Sequence, residues 1–223
     1  MIKSLFISKN ASEVLDLRKF TDAHAIHLEA QSFLKFSPVE FQLPVSFDVI
    51  FFGSPRSVMF YQSRYSVPKT VQIAAVGGKT SALLQSMGYE VAFNGEGKGS
   101  ISEVAKSFQD WLGDRKALFP VSSKSLGTIS KGLPSHQVAH VECYETLITP
   151  TKLTDTFDAY VFTSPSNVEG FFMNNELPES SVVIAWGEST QHKLKKLQLN
   201  PVTLSDPSFE NLQEQLVKLK KAP

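Results

Sequence analysis

The 223-residue sequence predicts an α/β protein of two doubly wound, parallel-sheet domains, the middle one inserted into the other. The first observation behind this is a repeat. Phe47-Asp48-Val49-Ile50-Phe51-Phe52-Gly53-Ser54-Pro55-Arg56-Ser57-Val58 returns as Phe157-Asp158-Ala159-Tyr160-Val161-Phe162-Thr163-Ser164-Pro165-Ser166-Asn167-Val168, at an offset of 110 (157 − 47) and with six of twelve positions identical. Ala75-Val76-Gly77-Gly78-Lys79-Thr80 and Ala185-Trp186-Gly187-Glu188-Ser189-Thr190 keep that offset and agree at three of six. Unrelated segments agree at roughly 6% of positions, so the chain carries two copies of one structural unit, and a site shared between copies is the leading idea. The second observation is that short apolar runs alternate with helical periodicity in each copy, the pattern of βα units that build parallel sheets.

Taken in order, Ile2 to Ile7 reads as a strand, followed by a helix-like stretch up to residue 33. Val49 to Phe52 is an apolar run suited to a strand buried on both faces. Ser54 caps the next helix and Pro55 fits its first turn, where no amide bond is lost. Ile73 to Val76 is a strand, Gly77-Gly78-Lys79-Thr80 a turn, and Ser81 to Met87 a helix that stops at Gly88. Ser100 and Glu103 form a capping box ahead of Ile101, Val104, Ala105, Phe108 and Leu112 at helical spacing, with Gly113 as the stop. Lys116 to Phe119 reads as a strand ending before Pro120, and His136 to Tyr144 as extended chain. The second copy gives a strand at Tyr160 to Phe162, a helix after Ser164-Pro165, a strand at Val182 to Trp186, and a helix from Thr190. Phe209, Leu212, Leu216 and Leu219 mark a last helix.

The second copy lacks an opening βα unit, and residues 1–33 supply one. The predicted division is therefore 1–33 with 150–223 as one discontinuous domain, 40–140 as the other, and 34–39 and 141–149 as two linker strands. Lys+Arg and Asp+Glu are both 22, so bulk charge provides no attraction to nucleic acid. No apolar run reaches the roughly 20 residues of a membrane span, and Leu5-Phe6-Ile7 is too short for a signal peptide. Cys143 is the only cysteine, which excludes an internal disulfide. A cytoplasmic monomer without membrane or nucleic-acid partners is the simplest reading.

In open α/β sheets ligands bind at the carboxyl ends of strands, where helix N-termini present free amides. Both repeated motifs fall there, so four helix N-termini could face one cleft. The hydroxyls of Ser54, Thr80, Thr163, Ser164 and Thr190 suit carboxylates or phosphates; each also serves simply as a helix cap or turn. Gly78-Lys79-Thr80 resembles the tail of a phosphate loop, but Ile73 stands where that pattern needs glycine, which argues against nucleotide hydrolysis. Asn94 to Gly99 is glycine-rich without a fingerprint spacing and reads as a flexible loop. His136 and His140 sit in extended surroundings with no Glu or Cys at ligand spacing, so no metal and no cofactor is predicted. Cys143 has no evident base and reads as a small buried thiol.

As an ordered set, these segments resemble the uroporphyrinogen-III synthase family. The landmarks are Phe52 to Val58, Ala75 to Thr80, Leu118-Phe119-Pro120, Val141-Glu142-Cys143-Tyr144-Glu145-Thr146, Phe162 to Val168 and Gly187-Glu188-Ser189-Thr190. The resemblance implies two flavodoxin-like domains joined by a two-stranded linker, the middle domain inserted. It implies a cofactor-independent cyclising lyase acting on hydroxymethylbilane, a linear tetrapyrrole with eight carboxylates. Loss of the hydroxyl gives an azafulvene, ring D attacks it through its substituted carbon, and the spiro intermediate opens and recloses to uroporphyrinogen III. Without enzyme, the bilane closes to the uninverted isomer I. The preceding pathway enzyme is the candidate protein partner.

By the same resemblance, Tyr144 matches the family's tyrosine on the return linker and is the candidate proton donor. Ser54, Thr163, Ser164 and Thr190 match family cleft positions that would hold substrate carboxylates, and Lys9 falls at the family's basic residue after the first strand; Thr80 and Gly187, in the repeated Gly-x-x-Thr turns, are the further substrate-binding candidates. Two features depart from the pattern: Glu188-Ser189 replaces the usual Pro-Thr, and the glycine that commonly follows Leu-Phe-Pro is missing. The alternative reading is a non-catalytic two-domain α/β module that binds an anion or a tetrapyrrole.

Overall fold

The computed structural model describes residues 2–221. Its strands are β1 (Ser4–Ile7), β2 (His27–Ala30), β3 (Leu34–Pro38), β4 (Val49–Phe52), β5 (Gln72–Ala75), β6 (Phe93–Asn94), β7 (Ala117–Ser122), β8 (Val138–Ile148), β9 (Ala159–Phe162), β10 (Val182–Ala185) and β11 (Val202–Thr203). Its α-helices are α1 (Leu15–Ala23), α2 (Pro55–Gln62), α3 (Gly78–Ser86), α4 (Ile101–Leu112), α5 (Pro165–Phe172), α6 (Glu188–Lys196) and α7 (Phe209–Lys221). The chain divides into two compact units, residues 1–35 with 147–223, and residues 36–146. No helix among the described residues is long and apolar enough to cross a membrane.

In the discontinuous unit the strand order is β11-β10-β9-β1-β2, and every neighbouring pair is parallel. Its two faces are covered separately. Leu17 of α1 and Leu212 and Leu216 of α7 pack against Leu5, Ile7, Val161 and Ile184. Val168 and Phe171 of α5 and Leu194 of α6 pack against Phe6, Tyr160, Phe162 and Ala185. Residues successive along a strand thus enter opposite cores, as the period of two requires, and this is why β9 is buried at all four positions.

In the continuous unit the order is β3-β8-β7-β4-β5-β6, parallel from β8 to β6. Val58, Tyr61 and Leu84 from α2 and α3 cover one face, and Val104, Phe108 and Leu112 from α4 cover the other. The repeat is visible in the element bounds: β4, α2, β5 and α3 reappear as β9, α5, β10 and α6, each displaced by 110 residues.

A carboxylate at the foot of each copy ties the sheet together. Asp158 Oδ2 accepts the amides of Lys3 and Ser4 at 2.7 and 2.9 Å, while Asp48 Oδ2 accepts that of Lys116 at 2.8 Å. The amides of Lys3 and Ser4 are both taken by this side chain, and β1 begins at Ser4, two residues after Ile2. The helices α3 and α6 start at Gly78 and Glu188, earlier than periodicity suggests. Gly77 and Gly187 act as N-caps whose carbonyls accept the amides of residues 80 and 81 and of 190 and 191. β7 continues through Pro120: its pairing with β4 stops at Leu118, leaving an edge on that side where proline is tolerated. The strands β2, β6 and β11 carry too few apolar residues to stand out in the sequence.

The Asp158 carboxyl is held below its ordinary value of 3.8, first by the Lys3 amide and further by Ser4. A depressed carboxyl stabilises the fold above its unfolded-state pKa, and that contribution disappears as pH falls through the folded value. Asp158→Asn should therefore be less stable than wild type by a constant margin between about pH 5 and 8. Urea unfolding across pH should show this margin shrinking below about pH 4; a margin that grows with acid would refute the assignment.

Candidate functional site

The order of the continuous unit reverses at β4, whose neighbours β5 and β7 lie on opposite sides. Ligands of open α/β sheets bind at such a switch point, outside the carboxyl ends of the strands. Here the ends of β4 and β7 open into a cavity of about 330 Å³, walled by Gly53, Ser54, Pro120, Ser122, Thr128 and Tyr144 among others. Ser54 is the N-cap of α2. Its Oγ accepts the Ser57 amide at 3.1 Å and its own amide donates to Ser57 Oγ at 3.2 Å, which leaves the Ser54 hydroxyl proton available. A side chain at Gly53 would meet no atom within 4 Å, so the first turn of α2 is open to approach.

Tyr144 reaches this wall through a β-bulge. β8 pairs Glu142 with Val121 and then Tyr144 with Ser122, so Cys143 is an extra residue in the ladder. Such a bulge re-aims the side chain that follows it. The Tyr144 ring is only 8% exposed, stacked on Phe60 at 4.8 Å and edge-on to Phe36 at 6.1 Å. Arg56 of α2 lies over the second of these rings, 3.6 Å from the centre of Phe36. The Tyr144 hydroxyl makes no hydrogen bond among the described residues. Cys143 is buried, its thiol donates to the Val121 carbonyl at 3.5 Å, and burial pushes its pKa up to about 12, which makes it a poor nucleophile.

At the neighbouring helix, Thr80 occupies the first turn of α3 and is 2% exposed. The approach to that turn is filled from within: a side chain at Gly78 would collide with the Glu96 carboxylate, and Asn94 positions Glu96 by accepting its amide at 3.0 Å. Lys79 is exposed on the helix. The glycine-rich loop is thus a set turn, with Gly97 and Gly99 at φ of 73° and 86°.

The discontinuous unit holds the remaining residues, at the carboxyl ends of β1, β9 and β10. Its switch point between β1 and β9 is laced shut. Thr163 Oγ1 donates to the Ser8 carbonyl at 2.7 Å, and the Thr163 amide donates to Ser8 Oγ at 2.8 Å. Ser164 caps α5 by accepting from the Asn167 amide at 3.2 Å and from its side chain at 3.1 Å. Gly187 sits in ordinary extended backbone with open space where a Cβ would be, so it leaves the first turn of α6 uncovered. Thr190, in that turn, is 2% exposed, like its copy Thr80. Lys9 lies over the Trp186 ring at 5.5 Å and pairs with Glu13 at 4.0 Å.

Sequence reading overlooked three things here: the bulge, Arg56, and the chain from Ser122 to Ser130 that forms a side of the cavity. No local pattern marks that segment, and only its density of hydroxyls (Ser122, Ser123, Ser125, Thr128, Ser130) hints at a hydroxyl-lined wall. His140 has a local partner, its Nε2 lying 2.8 Å from Ser130 Oγ. Among the described residues no cluster of three or more His, Cys, Asp or Glu could hold a metal ion.

Comparison with known proteins adds to this geometry. A family model described as uroporphyrinogen-III synthase HemD matches residues 24–214. No curated protein matches by sequence. The fold is similar to the crystal structure of uroporphyrinogen-III synthetase from Helicobacter pylori 26695, with a TM-score of 0.73 and 17% identity over 98% of this chain and 100% of that one. It is also similar to a mutant uroporphyrinogen III synthase from the extremely thermophilic bacterium Thermus thermophilus, with a TM-score of 0.60 and 15% identity over 98% and 99%. With a family match over most of its length, the chain belongs to the uroporphyrinogen-III synthase family, the cyclising lyases of porphyrin and heme biosynthesis.

Proposed function

We propose that the chain closes hydroxymethylbilane to uroporphyrinogen III and water with ring D inverted, and that Tyr144 is the proton donor. The observation that carries this is the bulge at Cys143, which puts an uncommitted phenol on the wall of the switch-point cavity. Loss of the substrate hydroxyl needs a proton, and Tyr144 supplies it so that water departs. The azafulvene is then attacked by the substituted α-carbon of ring D; the spiro intermediate breaks the bond from that carbon to the bridge of ring C, and the azafulvene released on ring C is attacked by the unsubstituted α-carbon of ring D. That carbon sheds its proton as ring D regains aromaticity, and the proton returns to the phenolate. Protons therefore balance and no electrons enter or leave the substrate, so the chemistry calls for no cofactor.

Position is the larger task, because the bilane closes by itself to the wrong isomer. Ser54 and the first-turn amides of α2 hold a carboxylate beside the cavity. In the other unit Ser164, Gly187 and Thr190 offer the same kind of contact and Lys9 adds a charge, while Thr163 keeps the β1–β9 end rigid. Thr80 is buried in the first turn of α3, whose approach Glu96 already fills. Support for the flavodoxin-like description comes from the discontinuous unit, whose sheet reads 2-1-3-4-5 when its strands are numbered in chain order.

Assay with freshly made hydroxymethylbilane, followed by oxidation and separation of isomers, tests the reading; isomer I alone would reject it in favour of a binding module. Tyr144→Phe should lower turnover by about 10²- to 10⁴-fold, the range of general acid catalysis, whereas Thr190→Ala should lose about tenfold, as for a single hydrogen bond. A wild-type rate and yield of isomer III from Tyr144→Phe would remove the phenol from the mechanism.

A second variant tests the cavity. Gly53→Thr copies the residue of the other unit into open space, so stability should change by less than about 0.5 kcal/mol. Catalytic efficiency should fall by roughly 10- to 200-fold, the effect of adding a small group to a fitted pocket. Unchanged kinetics would place the reaction elsewhere.

A further inference from the structure

The switch-point cavity has a composition at odds with a polyanionic ligand. None of the residues lining it is Asp, Glu, Lys, Arg or His. Its lining combines the aromatic residues Phe51, Phe119 and Tyr144 with serines and a threonine. At about 330 Å³ it lies at the small end of ligand pockets, too small for a linear tetrapyrrole and sufficient for one of its rings. Two apolar side chains stand at its mouth exposed to water, Leu126 at 70% and Ile101 at 47%. A neutral, flat, aromatic body with a ring N–H fits these walls; a carboxylate finds a partner only at the Ser54 end, where α2 begins.

The wall that carries Leu126 is built in advance. Gly127 adopts a φ of 60°, and its carbonyl receives the amides of Ser130 and Lys131 and the Ser130 hydroxyl, at 3.1, 3.0 and 3.1 Å. With the Ser130 proton committed to that carbonyl, His140 Nε2–H donates to Ser130 Oγ at 2.8 Å and ties the segment to β8. Ser122 and Thr128 make no side-chain hydrogen bond among the described residues and remain available to a ligand.

From this we infer that the cavity is a subsite for the ring body of one substrate pyrrole, recognised by aromatic faces and hydroxyls and not by its carboxylates, and that the 122–130 segment, through Leu126, determines its specificity. This rests on the cyclase reading, and it assigns the carboxylates to helix N-termini, that of α2 at the Ser54 end of the cavity and the others away from it. Covering Leu126 and Ile101 with the ring supplies the apolar part of the affinity.

Two probes test this on the full chain: a monopyrrole carrying one acetate and one propionate arm, and its bis-amide, isosteric but uncharged. Titrated into isotope-labelled protein, both should shift the amides of residues 122–130 and of Gly53 and Ser54 saturably, with dissociation constants within about threefold of each other, where loss of an essential charged contact would cost tenfold or more. Leu126→Asp, at a position too exposed to endanger the fold, should weaken both probes and raise KM for hydroxymethylbilane about tenfold or more, while Leu126→Met keeps both. Loss of binding with the bis-amide, shifts confined to residues outside the cavity, or unchanged affinity in Leu126→Asp would overturn the inference. If the probes bind as stated yet only isomer I forms, the cyclase reading fails and the subsite stands. If isomer III forms and the probes ignore the cavity, the subsite fails and the cyclase reading stands.

Discussion

The register of one strand pair in each unit governs everything above it. Asp158 fixes where β1 starts against β9, and Asp48 fixes where β7 starts against β4. These are the pairs that flank the two switch points. Strands in a parallel sheet have no hairpin turn to set their offset, and slipping by one residue would exchange the two buried faces. A carboxylate that accepts the first amides of its neighbour supplies that missing constraint, and the bond is strengthened by its charge. With the lower ends locked, the upper ends lie at fixed heights, and the geometry of the cavity follows.

The two copies have diverged at those upper ends in an informative way. Thr163 bonds to Ser8 and closes its switch point; the residue at the same place in the other copy is Gly53, which reaches nothing. One methine, one methyl and one hydroxyl therefore separate a sealed strand end from an open one. The bulge at Cys143 completes the difference, because it turns a tyrosine toward the space that Gly53 leaves. Duplication supplied two equivalent scaffolds, and small changes made one rigid and the other receptive.

How much of this was legible in the sequence differs by kind. The strands β4 and β9 and the caps Ser54, Ser164 and Ser100 could be read directly, because apolar runs and capping patterns are local signals. The starts of α3 and α6 lie up to three residues earlier than the sequence suggests, since Gly77-Gly78 and Gly187 read as turns while a glycine N-cap in extended backbone looks no different in sequence. The short β6 and β11 exist through pairing with β5 and β10, which no local pattern encodes. Tyr144 was picked out by family resemblance; the reason it faces the cavity is a ladder irregularity that depends on the partner strand. Glu96 against Gly78 was invisible for the same reason.

That last contact bears on how a neutral protein handles eight carboxylates. An acidic group near a helix N-terminus stabilises the helix by opposing its dipole. Glu96 does this for α3 from the neighbouring loop, and Glu188 stands in the first turn of α6 itself. Helix α2 has no acidic residue in its first turn, its cap retains a hydroxyl proton, and it adjoins the open Gly53. The amides most available to a substrate carboxylate in the continuous unit are therefore those beside Tyr144. On the proposed reading, anion attraction is thereby confined to a few places, which leaves the choice among bilane conformers to the shape of the site more than to charge. For a reaction whose uncatalysed course gives the wrong isomer, selection by shape is the requirement that matters.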